Sequence, residues 1–302
     1  MIKFLLYAHT DPVMTARLCS ALKPYAVHVH IDLKSEIKAF ESEAIKANAD
    51  NIVFTQRRVP VFWAGYSQVE AMRILIEEAG SYAKPGDYFV MLSGQDYPVK
   101  PVSEFERFLT ANQGTQYIKC FKVDESNDHY RQQVNGRHHR DLKLLGKAQG
   151  GLKRLRNVVI RIADLLTLVA PTKPADLVIT HGQTHWALTA ECAIELNNSV
   201  NPAIERFFRR CFSPDEKFFH TLVVNSRFRS KMLDGGPVPF AGRGNWRYTN
   251  FHHIDPSLAK TFTLSDWPTV KGTEKFFIRK VESHVSATLM DRIDDELLGL
   301  PK

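Results

Sequence analysis

Short apolar runs alternate with amphipathic stretches through the N-terminal third of the chain. Lys3–Ala8 and Val27–Ile31 read as strands, with Val13–Leu22 as the helix between them. Ile52–Phe54 reads as a short strand. Tyr66–Ala79 carries Val69, Met72, Leu75 and Ile76 at helical spacing, and Tyr88–Leu92 is a continuous apolar run suited to a fully buried strand. This β-α-β-β-α-β rhythm predicts an α/β fold, a mostly parallel sheet flanked by helices. In such sheets ligands bind outside the carboxyl ends of the strands. Asp32 directly follows one predicted strand, and Ser93-Gly94-Gln95-Asp96 directly follows another.

Further along, Trp186–Thr189 predicts a strand and Ala190–Leu196 a helix, and Leu222–Val224 reads as strand-like. Residues 234–257, rich in Gly, Pro, Trp, Tyr and His, predict a long functional loop. An amphipathic helix is expected from Asp291 onward. No internal repeat or long linker divides the chain, so residues 1–302 are expected to form one domain.

Composition narrows the class. The apolar share of 44% is enough for a sizeable core. No apolar run approaches the ~20 residues of a membrane span, and the N-terminal run reads as a strand rather than a signal peptide. Cys19, Cys120, Cys192 and Cys211 are scattered, which argues against a zinc site or a disulfide framework and fits a reducing cytoplasm. Positive charge is local: ten Lys/Arg and only Asp141 and Asp164 lie between Arg131 and Lys173, in a chain of net charge +7. This basic amphipathic insertion, at about 131–175, also carries Leu152, Leu155, Val158, Val159, Ile162, Leu165 and Leu166. Two readings stand: a helix covering the core with its bases in solvent, or a surface for anionic lipid or a polyanionic acceptor. No nucleic-acid-binding motif accompanies the charge.

Several chemistries are excluded by motif. The chain has no phosphate-binding P-loop, no dinucleotide G-x-G-x-x-G, no H-E-x-x-H and no G-x-S-x-G elbow. His138-His139 and His252-His253 are neighbours, which do not converge easily on one metal. No Asp-x-Asp pair is present to hold a cation against a diphosphate. Ser213-Pro214-Asp215-Glu216 has two readings, a helix start opened by proline or a carboxylate placed as general base. Lys260 and Arg279-Lys280 are candidate bases for a diphosphate leaving group.

Seven segments in order resemble the family of core-2/I-branching β-1,6-N-acetylglucosaminyltransferases and peptide O-xylosyltransferases (glycosyltransferase family 14), in a compact bacterial-type version. They are Tyr7–Pro12, Val29–Ser35, Val61–Ser67, Met91–Lys100, Gly182 with Trp186–Thr189, Ser213–Glu216 and Phe277–Lys280. The resemblance implies a GT-A fold, a UDP-sugar donor and inversion without a metal or other cofactor. By the same resemblance Glu216 is the catalytic base, and Lys280, with Lys260 as partner, neutralises the diphosphate. Asp32, Asp96, Arg279 and His9 fall to the donor, and Trp246, Tyr248 and Trp186 to the acceptor. Gln183-Thr184-His185 departs from the family's Ser-Gln-Trp, and the basic insertion has no counterpart in the pattern.

The expectation is an inverting, metal-independent transferase that moves a sugar, GlcNAc first, from a UDP-sugar to a saccharide or lipid-linked saccharide. Xylosyl transfer from UDP-xylose is the alternative within the family. A non-catalytic carbohydrate- or membrane-binding protein is the alternative outside it. The expected location is cytoplasmic, peripheral on the inner face of the plasma membrane if the basic segment meets lipid.

Overall fold

The computed structural model describes residues 1–142, 151–166, 172–174 and 176–300. Part of the expected basic insertion, including Lys143, Lys147 and Pro171, lies outside the described residues. Strands β1 (Ile2–Ala8), β2 (Ala26–Ile31), β3 (Ile52–Phe54), β4 (Tyr88–Ser93) and a later strand, Ala187–Thr189, form a five-stranded sheet. Its order is β3-β2-β1-β4 and then Ala187–Thr189, which alone runs antiparallel. The α/β class and the mostly parallel sheet therefore stand as expected.

Side chains alternate across the sheet with the period of a strand. Phe4, Leu6, Val90 and Leu92 enter one core with Met14 and Leu18, while Leu5, Phe89 and Met91 enter the other with Val69, Met72 and Leu75. Helices α1 (Pro12–Ala21) and α3 (Ser67–Gly80) thus lie on opposite faces, and all six residues of β4 are buried. Asp11 caps α1 by accepting the Met14 N–H at 3.0 Å, with Pro12 at the first helical position.

Two expectations about elements need correction. A helix, α2 (Ile37–Lys46), separates β2 from β3, where the sequence suggested direct succession. Only Phe40 and Ala44 of that helix are buried, so its apolar stripe is too thin to stand out. Leu222–Val224 is the end of a helix, Phe218–Val224, and not a strand. All seven of its residues are buried, His220 and Thr221 included, so no solvent face gives the helix an amphipathic period.

A second sheet brings the active region together. The strand Asp96–Pro98 (β5) pairs antiparallel with Phe277–Arg279, which pairs parallel with His252–Ile254. In that register Arg279 lies directly opposite Asp96, so the two side chains share a face. The expected loop at 234–257 accordingly contains a strand and a short 3-10 turn, Asn245–Tyr248.

Candidate active site

A cleft of about 490 Å³ opens at the carboxyl ends of β1, β2 and β4. Tyr7 and His9 line it from β1, Asp32 from β2, Gln95 from the β4–β5 turn, and Arg279 and Lys280 from the end of the second sheet. A second lobe of about 360 Å³ is bounded by Tyr130, Gln133, Arg243 and Trp246. Glu216, Asn245 and Leu258 line both lobes. Glu216 therefore stands at the junction of the two lobes.

Local chain geometry holds that carboxylate. Ser213 is left-handed (φ 45°), and Pro214–Glu216 form a 3-10 turn before the helix at Phe218. The proline does open a helical turn, and Glu216 still faces the cleft. The ammonium of Lys217, itself fully buried, donates to Gln133 Oε1 at 2.8 Å and to the carbonyls of Phe212 (2.9 Å) and Ser213 (3.2 Å). Asn245 Nδ2 donates to Glu216 Oε1, and Asn245 Oδ1 faces His181 Nε2 at 3.0 Å. His181 is held neutral, its pKa far below the ordinary value through burial and then the Lys217 charge. A neutral ring that donates from Nε2 fixes the Asn245 amide with its NH₂ toward Glu216.

Burial, and then the neighbouring Asp215 carboxylate, push the Glu216 pKa up to about 8, against the pull of Lys217 and Asn245. Burial raises Asp215 as well; its Oδ2 accepts from Thr184 Oγ1 at 3.1 Å while its Oδ1 has no partner. Two adjacent carboxyls, Asp215 buried and Glu216 partly buried, beside one ammonium resist full ionisation.

Asp32 Oδ1 accepts the N–H groups of Lys34 (2.9 Å) and Val61 (3.2 Å), and its Oδ2 pairs with Lys34 Nζ at 2.6 Å. It organises the loops of the cleft as well as lining it. His9 is exposed at the rim, its pKa lowered mainly by the loss of water on the side that meets the cleft. Arg279 Nη1 donates to Asp96 Oδ1 at 3.0 Å and to Ser93 Oγ, which fixes the guanidinium against the cleft wall.

Four expected site residues lie elsewhere. Asp96 is fully buried behind the wall and lines neither lobe; burial opposes its ionisation, but His185, Arg279 and His252 hold its carboxyl well below the usual range. His185 is neutral above about pH 4, because burial outweighs the pull of Asp96, so Arg279 is the compensating charge at neutral pH. Lys260 is exposed and pairs with Asp266 at 2.5 Å outside the cleft, drawn there by the carboxylate that also caps the turn at Thr263. Trp186 is wholly buried against Phe219, in the core behind the sheet. Tyr248 is also core: its ring packs on Phe121 and its hydroxyl donates to Gly242 O (3.3 Å) and accepts from Ala241 N (2.8 Å). Trp246 does border the second lobe, half-buried, with the Arg247 guanidinium 4.3 Å above its ring.

Sequence reasoning missed Trp63, Gln68, Thr184 and Asn245 on the cleft walls. Trp63 stands within one of the family-like segments and is 75% exposed at the rim, an aromatic with no core role. Asn245 follows Gly242-Arg243-Gly244, where both glycines adopt positive φ, a turn signal inside the expected loop.

The neighbours His252 and His253 are not expected to converge easily on one metal. His252 instead meets Asp96 and His185, and one ligand atom from each lies within 4.8 Å of the others. Two imidazoles and a carboxylate could hold a divalent cation. The single carboxylate is already compensated by Arg279, and the cluster lies largely behind the cleft wall.

Over residues 4–293 the chain matches the family described as Core-2/I-Branching enzyme. It is 23% identical over 323 residues to human xylosyltransferase 2, covering 99% of this chain and 34% of that protein. It is 21% identical over 298 residues to the xylosyltransferase oxt of Drosophila melanogaster, covering 94% and 32%. The chain thus spans about a third of the length of these relatives. Among solved structures it is similar to the galactosyltransferase LgtC in complex with donor and acceptor sugar analogs (TM-score 0.43, 11% identity, 99% of this chain and 98% of that one). It is also similar to mouse xyloside xylosyltransferase 1 in its apo form (TM-score 0.33, 14% identity, 75% and 83%). The family match takes in both lobes of the cleft, and the α/β chain belongs to the Core-2/I-Branching enzyme family of glycosyltransferases.

Proposed function

We propose that this protein transfers a sugar from a UDP-sugar to a saccharide hydroxyl with inversion at the anomeric carbon. The observation that carries this reading is Glu216 at the junction of the two lobes, with Arg279 and Lys280 in the first. The donor occupies the first lobe with its diphosphate toward Arg279-Lys280, and the acceptor occupies the second beside Trp246. The acceptor oxygen attacks the anomeric carbon, its proton passes to Glu216, and the bond from that carbon to the phosphate oxygen breaks. UDP leaves with the bonding electrons. The charge that grows on it is met by Lys280 and Arg279, so the transfer needs no metal. One carboxylate suffices, unlike the two opposed carboxyls of a glycosidase.

UDP-xylose and UDP-GlcNAc are the first donors to test, since the relatives are xylosyltransferases and the family takes its name from branching enzymes. Glu216→Gln keeps the shape but cannot accept the proton. Transfer is expected to vanish while UDP-sugar binding, read by thermal shift, stays within about two-fold of wild type. Near wild-type transfer by this variant would remove Glu216 from the role of base. Failure of the wild type to release UDP from any donor would favour a carbohydrate-binding protein instead.

A further inference from the structure

The basic segment left open by sequence contains a helix, Gly151–Leu166. A helix that covers the core would turn its apolar side inward. Most of this apolar side faces out: Leu155, Val158, Ile162, Leu165 and Leu166 are 51%, 51%, 49%, 79% and 73% exposed. At about 100° per residue these five fall within one arc of roughly 100°. Arg154 and Arg161, both exposed, border that arc on one side.

The opposite side fastens the helix to the protein. Ile160 is buried. Arg156 donates to the Arg140 carbonyl at 2.6 Å, and its guanidinium lies 4.8 Å from the centre of the Phe62 ring. Asp164 accepts the His139 N–H at 2.8 Å. Asp141, the other acid of the segment, turns inward to Ser67 Oγ at 2.6 Å. Both acids are thus spent on the protein's own groups, and among the described residues of the helix the outer face carries apolar and basic side chains without a carboxylate. Phe62 adjoins Trp63 at the cleft rim, so the helix is docked beside the mouth of the site.

We propose that this helix is an anchor to an anionic membrane surface. Its apolar arc enters the boundary between head groups and acyl chains, Arg154 and Arg161 meet lipid phosphates, and the cleft opens toward a lipid-linked saccharide. Among the described residues no helix is long and apolar enough to cross a membrane, so the contact is superficial. Charge complementarity selects an anionic bilayer over a second copy of this basic chain. Lipid contact stands apart from the transfer chemistry; only the orientation toward a lipid-linked acceptor rests on the function proposed above.

Vesicle sedimentation tests it with the full chain. Wild type is expected to pellet with phosphatidylglycerol vesicles at low salt and to remain in the supernatant with phosphatidylcholine alone. Arg154→Ser with Arg161→Ser should reduce the bound-to-free ratio roughly ten-fold or more. Leu155→Ser, Ile162→Ser and Leu165→Ser together should abolish binding, with thermal unfolding and transfer to a soluble acceptor unchanged. Because all four native cysteines are buried, Leu165→Cys can carry an environment-sensitive dye, whose emission should shift to the blue with the anionic vesicles. Wild type that stays in the supernatant at low salt overturns the proposal. So does equal pelleting of the serine variants, or a wild-type dimer that those variants convert to monomer.

Discussion

Removal of the Asn245 side chain tests how the base is tuned. Asn245 Nδ2 donates to Glu216 Oε1, a bond that favours the ionised carboxylate and opposes the burial that lifts its pKa to about 8. A hydrogen bond to a charged group contributes about 1.5–3 kcal/mol. At about 1.4 kcal/mol per unit, its loss in Asn245→Ala raises the Glu216 pKa by roughly 1–2 units. The sign follows from the role: a base works only when ionised, so activity rises with pH through this pKa. The rising limb of kcat/KM against pH should therefore move upward by about 1–2 pH units. Activity at pH 7 should fall roughly 10–100-fold and recover in part at alkaline pH, an effect that simple loss of acceptor affinity would not produce. An unmoved limb, whatever the overall rate, would show that Asn245 does not tune the base.

Lys280→Ala is expected to lower kcat by on the order of 10²–10³, because an ammonium aimed at the leaving phosphate stabilises the transition state more than the ground state. Lys260→Ala, which breaks only an exposed pair with Asp266, should stay within about three-fold of wild type. A change in donor KM alone for Lys280→Ala would make it a binding residue. Transfer is expected to survive EDTA, and loss of activity restored by a divalent cation would refute this and direct attention to Asp96, His185 and His252.

The central sheet was legible because β1, β2 and β4 are short apolar runs followed at once by polar residues, and those polar residues line or support the cleft. Glu216, Arg279 and Lys280 were legible through local motifs. What sequence could not give was depth. Asp96 and Asp32 both follow buried strands, yet one lies behind the wall and the other on it, a difference set by the cross-strand pairing of Asp96 with Arg279. Trp186, Tyr248 and Trp246 are alike as amphipathic aromatics, and only packing against Phe219 and Phe121 separates the two core rings from the one at the second lobe. Lys260 was misplaced for a similar reason: its partner Asp266 is near in sequence, but the turn that joins them points away from the cleft.

The inward turn of Asp141 limits how this chain can be altered. Its carboxylate accepts from the Ser67 N–H at the start of α3, and a Cβ on Gly65 would stand 2.1 Å from Asp141 Oδ1. A side chain there would have to displace the Asp141 carboxylate, and with it the bonds to Ser67 that help to seat the segment carrying the outer helix. The basic segment is therefore no transferable cassette. Grafted onto a relative with a larger residue at the Gly65 position it would lose this contact, and excised from this chain it would leave the Ser67 N–H and hydroxyl at the start of α3 without their acceptor, four residues from the tryptophan at the rim. Gain or loss of such an appendage is thus coupled to the scaffold at this position, where the glycine leaves room for the docking carboxylate.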